Sequence, residues 1–359
     1  LHPRNVDKFV NAIAALNWTS FYLSNKDVHT KCERLHSILQ HHLRNNIPSS
    51  SVRMTQNDKP YITPYIKHLI NLRWRAYRKK DFASYSNLSA KTKRLIQTAK
   101  KLWAKRASRS PKDLWKTVNE SIGSNSARVT SLNSLISLFP SINDAVEDIN
   151  STFARSLTVG PPLSTPPGPA EWNPTIEIDE VLSALLAIKP AKAYGCDGIP
   201  SLLYLKTAHH LAAPLAHIFN LSIQSRIFPA PWKISHITPI PKTSPPNKTD
   251  LRPISLLPVL SKILEKLVLA KGIKERLIEG FGTNQFGGRP KSSTTLALIC
   301  LHDHVTQLLD QTNVKGVALV AYDFSKAFDQ LSHEIIINSL MALNIPLGFI
   351  QWCTSYLQY

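Results

Sequence analysis

Between Lys67 and Lys116 the chain carries sixteen Lys or Arg residues against two acids, Asp81 and Asp113. A stretch charged to that degree cannot be a core, and an ordinary solvated face mixes both signs. The stretch has no glycine and no proline before Pro111, and its apolar residues recur at helical spacing. Leu69, Leu72 and Ala76 make one stripe; Leu95, Ala99 and Leu102 make another. The spacing predicts two basic helices joined near residues 81–87. Most of the chain's formal net charge of +19 lies here. Such a concentration fits contact with a phosphate backbone, through Arg73, Arg75, Arg78, Lys79, Lys80, Lys100, Lys101, Lys105 and Arg106. Trp74, Tyr77 and Trp103 are candidate stacking groups, with a core role as the alternative, above all for Trp103.

Other properties narrow the class. At 359 residues and 43% hydrophobic content the chain can build about two domains with real cores. The longest apolar runs, such as 317–321, are too short to span a bilayer, and no N-terminal secretory pattern is present. Cys32, Cys196, Cys300 and Cys353 are scattered, and none forms a C-x-x-C pair. A disulfide framework is therefore not expected, which suits an intracellular compartment, cytoplasmic or nuclear. His302 and His304 would face different sides of a helix, so they do not make a zinc pair. No Gly-rich phosphate loop occurs, which excludes a P-loop ATPase. Leu1 is not an initiator methionine and Tyr359 closes an apolar, aromatic stretch, so the sequence reads as a piece of a longer polypeptide.

Three regions are expected. Residues 1–120 read as a helical basic region. Residues 121–174 read as an irregular linker, with six prolines between Pro161 and Pro174. Beyond it the pattern turns α/β. A helix around Val181–Leu186 must end by Pro190, and a Gly-containing turn spans 192–199. A helix over 214–224 follows, then a strand over 232–242 and a strand or turn over 252–256. A helix over 261–272 takes Ser261 as N-cap, and after a loop over 281–290 an apolar helix runs from near Ser292 to Leu309. Last comes Gly316–Tyr322, which reads as a buried strand delivering Asp323 at its C-terminal end. A carboxylate there can hold a hard cation such as Mg²⁺ against phosphates, or it can cap the next helix; spacing leaves both open.

Five segments in order carry a resemblance: Lys192-Ala-Tyr-Gly-Cys-Asp-Gly198, Ile240-Pro-Lys242, Asp250-Leu-Arg-Pro-Ile-Ser-Leu256, Asn284-Gln-Phe-Gly-Gly-Arg-Pro290 and Tyr322-Asp-Phe-Ser-Lys-Ala-Phe-Asp329. Together they resemble the reverse transcriptases of non-LTR (LINE-type, jockey-like) retrotransposons over residues 175–359. The resemblance implies an α/β (α+β) domain, the fingers and part of the palm of a right-hand polymerase, behind a helical basic extension. It implies RNA-directed DNA polymerase chemistry with two Mg²⁺ ions, an RNA template, a DNA primer or target, deoxynucleoside triphosphates, and no membrane. By the same resemblance Asp323 matches the first catalytic, metal-binding aspartate, assisted by the backbone carbonyl of Phe324. Phe328 matches the residue that rejects a 2′-hydroxyl. Lys242 and Arg252 match cations that meet the triphosphate, Arg252 having a structural Arg-Pro turn as its alternative. Gln285, Phe286 and Arg289 match the loop lying against the template. Asp197 and Gly198 match a turn that is as much structural as functional, and Asp329 is expected to do no more than cap a helix.

The match has departures. Gly288 stands where the family has an aromatic, Lys291 and Ser292 replace Gly-His, and Tyr194 and Cys196 replace prolines. The paired Asp-Asp that supplies the family's other metal ligands does not occur in the sequence. One carboxylate cannot hold two metals in line, so this chain is expected to be inactive alone. Two further readings stay open: a nucleic-acid-binding remnant without chemistry, and an intron-maturase-type reverse transcriptase.

Overall fold

Capping residues and proline breaks, more than helix propensity, set the element ends in this chain. The computed structural model describes residues 3–48, 52–55, 58–107, 114–115, 118, 135–155, 163–169, 171–190, 194–243, 246–247, 250–324 and 327–358. The contacts divide the chain into two units. One holds Leu1–Ile47, Ser151–Thr238 and Pro253–Tyr359; the other holds Pro48–Asn150 and Pro239–Arg252. The first 47 residues thus belong with the chain beyond 151, whereas the sequence pattern groups them with the basic helices. The reason is apolar: Phe9, Ile13, Val28, Cys32, Leu35 and Leu39 join one core with Leu203, Phe219 and Trp232.

The first unit opens with α1 (Pro3–Ala14), α2 (Thr19–Leu23) and α3 (Val28–Asn46). The Asp27 carboxylate accepts from the Thr30 N–H at 2.9 Å and starts α3. Next come α7 (Ile178–Leu186), opened by a Glu177–Glu180 capping box, then α8 (Ser201–Lys206) and α9 (Ala208–Ser225). The expected helix at 214–224 is longer than its pattern suggested, for Pro214 sits buried inside α9 rather than opening it. Three imidazoles tie α3 to the chain after it. His29 Nδ1 accepts from the Ala230 N–H at 2.9 Å, His36 Nε2 from the Trp232 indole N–H at 3.1 Å, and His217 Nε2 from the Lys31 ammonium at 2.6 Å.

Strand β1 (His236–Pro241) and strand β2 (Leu251–Leu256) form a two-stranded sheet, the only one among the described residues. Trp232, expected at the start of the first strand, is instead fully buried in a 3₁₀ turn, Ala230–Trp232. Helices α10 (Val259–Leu269), α11 (Ile273–Glu279) and α12 (Thr294–Leu309) follow. Ser261 is not the N-cap; Pro258 is, and the buried Ser261 hydroxyl donates to Glu265 at 3.0 Å. Ser293 caps α12 by accepting from the Leu296 N–H at 3.1 Å, yet α12 buries none of its residues. The chain ends through α13 (Ala327–Gln330), α14 (His333–Ala342) and α15 (Leu347–Leu357).

The expectation of a buried strand at 316–322 is corrected: the segment has no strand structure and is exposed, Leu319 to 69% and Tyr322 to 91%. A strand is stable only when its backbone groups find a partner strand. The strands of the α/β texture expected after the linker thus reduce, among the described residues, to one two-stranded sheet amid helices. No described helix is long and apolar enough to cross a membrane.

In the second unit, α4 (Pro64–Arg78) and α5 (Phe82–Ala107) form an antiparallel-type helix pair joined by three residues. A further helix, α6 (Ile142–Arg155), crosses the unit boundary at Ser151, inside what was expected to be linker. Lys112, Asp113 and Lys116, part of the basic stretch, lie outside the described residues, as do 156–162 at the start of the Pro-rich segment.

Candidate nucleic-acid and nucleotide interface

The turn between α4 and α5 is built from its own charged residues. The Lys80 N–H bonds to Tyr77 O and the Asp81 N–H to Ala76 O, a Schellman ending with Lys80 in the left-handed region at φ +57°. Asp81 then accepts from the Ser84 N–H at 3.0 Å and starts α5. Cations at the end of α4 also suit the negative pole of that helix.

That arrangement uses up the nearby acids. The Ser84 hydroxyl and N–H hold the Asp81 carboxyl below its ordinary value, and the Lys67 ammonium does the same to Asp58. Lys67 and Asp58 form an ion pair, and Asp58 also accepts from the Thr55 N–H at 2.7 Å. Among the described residues, Arg75, Arg78, Lys79 and Lys80 have no carboxylate partner, and all four are exposed. Lys100, Lys101 and Lys105 are exposed on α5, and Lys100 Nζ stands 5.2 Å from the Tyr61 ring centre. The side chain of Arg106 lies outside the described residues. Ile66 and Leu69 are the buried stripe of α4, whereas Leu102, expected to be on the apolar stripe of α5, is exposed.

The three aromatics differ in burial. Trp103 is half-buried with its ring 6.1 Å from that of Tyr61. Trp74 and Tyr77 are 53% and 50% exposed. Tyr85, not singled out in the sequence, extends the row: Trp74 to Tyr77 is 5.9 Å and Tyr77 to Tyr85 is 5.5 Å. Only the three-residue turn brings Tyr85 back beside Tyr77, so a pattern read along one helix misses it.

The β1–β2 hairpin brings a second cation pair together. The Lys242 N–H bonds to Asp250 O at 3.0 Å, which fixes the antiparallel register so that Lys242 stands opposite Asp250 and Ile240 opposite Arg252. Residues two apart on one strand share a face, so Lys242 and Arg252 lie diagonally on the same face, both exposed. Two cations on one face of a hairpin can meet a polyphosphate.

The remaining expected site residues fall in the first unit. In the loop before α12, Gln285 Nε2 donates to Gly287 O at 2.9 Å, while Gln285 and Arg289 are exposed and Phe286 is half-buried. Gly288 takes φ +76°, a conformation in which the aromatic found there in the family would be strained. Asp323 and Phe324 are exposed in irregular chain, and Phe328 is 98% exposed on α13. Among the described residues no three His, Cys, Asp or Glu side chains come together as a metal site. The described residues by themselves therefore do not complete a two-ion centre. Asp197 is buried and structural: its carboxylate accepts from the Tyr204 hydroxyl at 2.9 Å and the Ile199 N–H at 3.3 Å.

Residues 240–359 match the family described as reverse transcriptase (RNA-dependent DNA polymerase). The chain is 29% identical over 188 residues to a probable RNA-directed DNA polymerase from transposon BS of Drosophila melanogaster, across 51% of this chain and 20% of that protein. It is 30% identical over 191 residues to the RNA-directed DNA polymerase from mobile element jockey of the same species, across 52% of this chain and 19% of the relative. The corresponding jockey protein of Drosophila funebris is 27% identical over 199 residues, across 55% and 22%. The chain spans about a fifth of the length of these curated relatives. The similarity is thus to non-LTR retrotransposon reverse transcriptases, as the ordered motifs implied.

Proposed function

We propose that this chain is a portion of a non-LTR retrotransposon reverse transcriptase that holds the RNA template and the DNA primer or target. It would supply part of the fingers and palm of a right-hand polymerase, behind a basic helical extension. The observation that carries the reading is the reverse-transcriptase match over 240–359, together with the hairpin in that stretch that sets Lys242 and Arg252 on one face. Phosphoryl transfer spreads negative charge over several oxygens, and paired cations on a stiff support suit that distribution. In this reading Lys242 and Arg252 meet the triphosphate of a deoxynucleotide. Phe328, with its ring clear of the core, meets the sugar, and Gln285, Phe286 and Arg289 meet the template. Asp323 and the Phe324 carbonyl contribute to a metal centre that needs carboxylates beyond those of the described residues. The lone carboxylate favours a second reading for the chain taken by itself: nucleic-acid binding without chemistry.

The test is binding of an RNA–DNA hybrid across a salt series. Affinity should fall steeply with salt. Replacing Arg73, Arg75, Arg78, Lys79 and Lys80 by Gln should lower the slope of log K against log salt by up to about 4.5, at about 0.9 for each phosphate no longer neutralised. An unchanged slope, or no binding at low salt, refutes the reading.

A further inference from the structure

On α4 the residues Asn71, Trp74, Arg75 and Arg78 follow one another at spacings of three, one and three, which brings them onto one side of the helix. They line a concavity of about 450 Å³, within the size range of small-ligand sites. Its chemistry is mixed in a specific way. Trp74 offers a large ring with half its surface open, Arg75 and Arg78 offer two charges with no carboxylate partner among the described residues, and Asn71 offers an exposed amide. The ring is held, not loose: the Tyr77 ring meets it edge-on at 5.9 Å and 89°, and the Arg73 guanidinium stands 5.9 Å from its centre.

Charge alone would suit any polyanion, and a duplex would satisfy it. A duplex, however, hides the faces of its bases in its own stack, so an exposed indole beside two guanidiniums gains nothing from it. An unpaired nucleotide presents a π-face and flanking phosphates a few ångströms apart, which is what this side of α4 can meet. We propose that the concavity lined by Asn71, Trp74, Arg75 and Arg78 is a site for one unpaired nucleotide of a single-stranded nucleic acid, its base stacked on Trp74 and its flanking phosphates held by Arg75 and Arg78. This rests on the reading that the α4–α5 pair binds nucleic acid, and it adds a strand-state preference that the reading does not contain.

The experiment uses the whole chain and fluorescence anisotropy with three labelled probes of equal length: a single strand, the same strand with abasic positions throughout, and a duplex. The unmodified chain should bind the intact strand about 10-fold more tightly than the abasic strand, the effect of one stacked base. Trp74→Ala should remove that difference while leaving affinity for the abasic strand, affinity for the duplex and all salt slopes unchanged; Trp74→Phe should keep most of it. Arg75→Gln with Arg78→Gln should lower the single-strand salt slope by about 1.4, at about 0.7 per charge. Equal binding of intact and abasic strands by the unmodified chain overturns the proposal even if both bind with steep salt dependence. Equal weakening of all three probes by Trp74→Ala overturns it as well, since that is what a merely structural ring would give. Displacement of the strand by a polyglutamate peptide as effectively as by an unlabelled strand of equal charge would assign the site to acidic protein instead. Absence of salt-dependent binding to every probe refutes the underlying nucleic-acid reading, and the proposal with it.

Discussion

Acidification from pH 7.5 to 5.5 should loosen the first unit through the imidazoles that tie α3 down. Burial holds His36 below its ordinary pKa, against the opposing pull of Asp197 and Glu33. Burial also lowers His217, and the Lys31 ammonium lowers it further. Both rings are therefore neutral in the folded chain, and their geometry requires it. Protonating His36 Nε2 would set an N–H against the Trp232 indole N–H, a group that donates only and whose ring is fully buried. Protonating His217 Nε2 would set a cation 2.6 Å from the Lys31 ammonium, which is already committed to Phe21 O and Tyr22 O at 3.1 and 3.3 Å. The unfolded chain takes up protons at these rings near pH 6.5, whereas the folded chain does so only at lower pH. Their contribution is thus fully present above about pH 6.5 and is lost as pH falls below it. The buried His36 ring can cost at most about 1.4 kcal/mol between pH 7.5 and 5.5, and the part-exposed His217 adds less because solvent screens it. Urea unfolding followed by Trp fluorescence at pH 7.5, 6.5 and 5.5 measures the slope. The variant His36→Gln/His217→Gln should be less stable at pH 7.5 but nearly flat between 6.5 and 5.5. If it retains the slope of the unmodified chain, the imidazole account is refuted.

Three further outcomes are expected. Iodoacetamide at pH 8 should alkylate the exposed Cys300 first and spare Cys32 and Cys353 until the chain unfolds, since burial pushes the Cys353 thiol up to about 12 and raises Cys32 strongly as well; peptide mass mapping reads the order. Lys80→Gly should stabilise the α4–α5 pair by about 1 kcal/mol, because the left-handed position then carries no Cβ; thermal unfolding by circular dichroism reads the gain, and a loss would refute the Schellman assignment. Primer extension on an RNA template with Mg²⁺ should be absent for this chain alone, and extension that disappears in Asp323→Ala would show that the other metal carboxylates have been misplaced.

What could be read from the sequence follows how local its cause is. The basic helices were legible because charge, the lack of glycine and the 3.6-residue period all act within a few turns; their joint was placed too late, for it lies at residues 79–81 and α5 already begins at Phe82 where a connection near 81–87 is expected. The described part of the turn expected at 192–199, from Tyr194 on, was legible for the same reason: Gly198 takes φ +67°. Ser261 misled because a serine ahead of an apolar helix is a common N-cap, yet Pro258 with its fixed φ starts the helix three residues earlier. The joining of residues 1–47 to the later core was not legible, since no local pattern tells which of several apolar faces a helix will meet. The histidine ties were equally hidden. His29, His36 and His217 are unremarkable polar residues until packing sets each nitrogen against a donor.

Asp323 shows the same limit at the site itself. The run Val317-Ala-Leu-Val320 has the composition of a buried strand, and the family resemblance puts a metal-binding aspartate at its end. Composition gives such a run only a preference; a strand exists when another strand accepts its backbone bonds, and that partner is non-local. Among the described residues the sheet ends at β1 and β2, and the run stays irregular, with Asp323 and Phe324 in solvent. Metal geometry requires carboxylates fixed to a fraction of an ångström, which irregular chain does not provide. Lys242 and Arg252 are the contrasting case. Their register is closed by a hairpin whose two strands lie within a dozen residues of each other, so the cation pair forms from local sequence alone. The register of Lys242 and Arg252 is therefore locally encoded, whereas the placement of Asp323 depends on strand partners that no local pattern specifies.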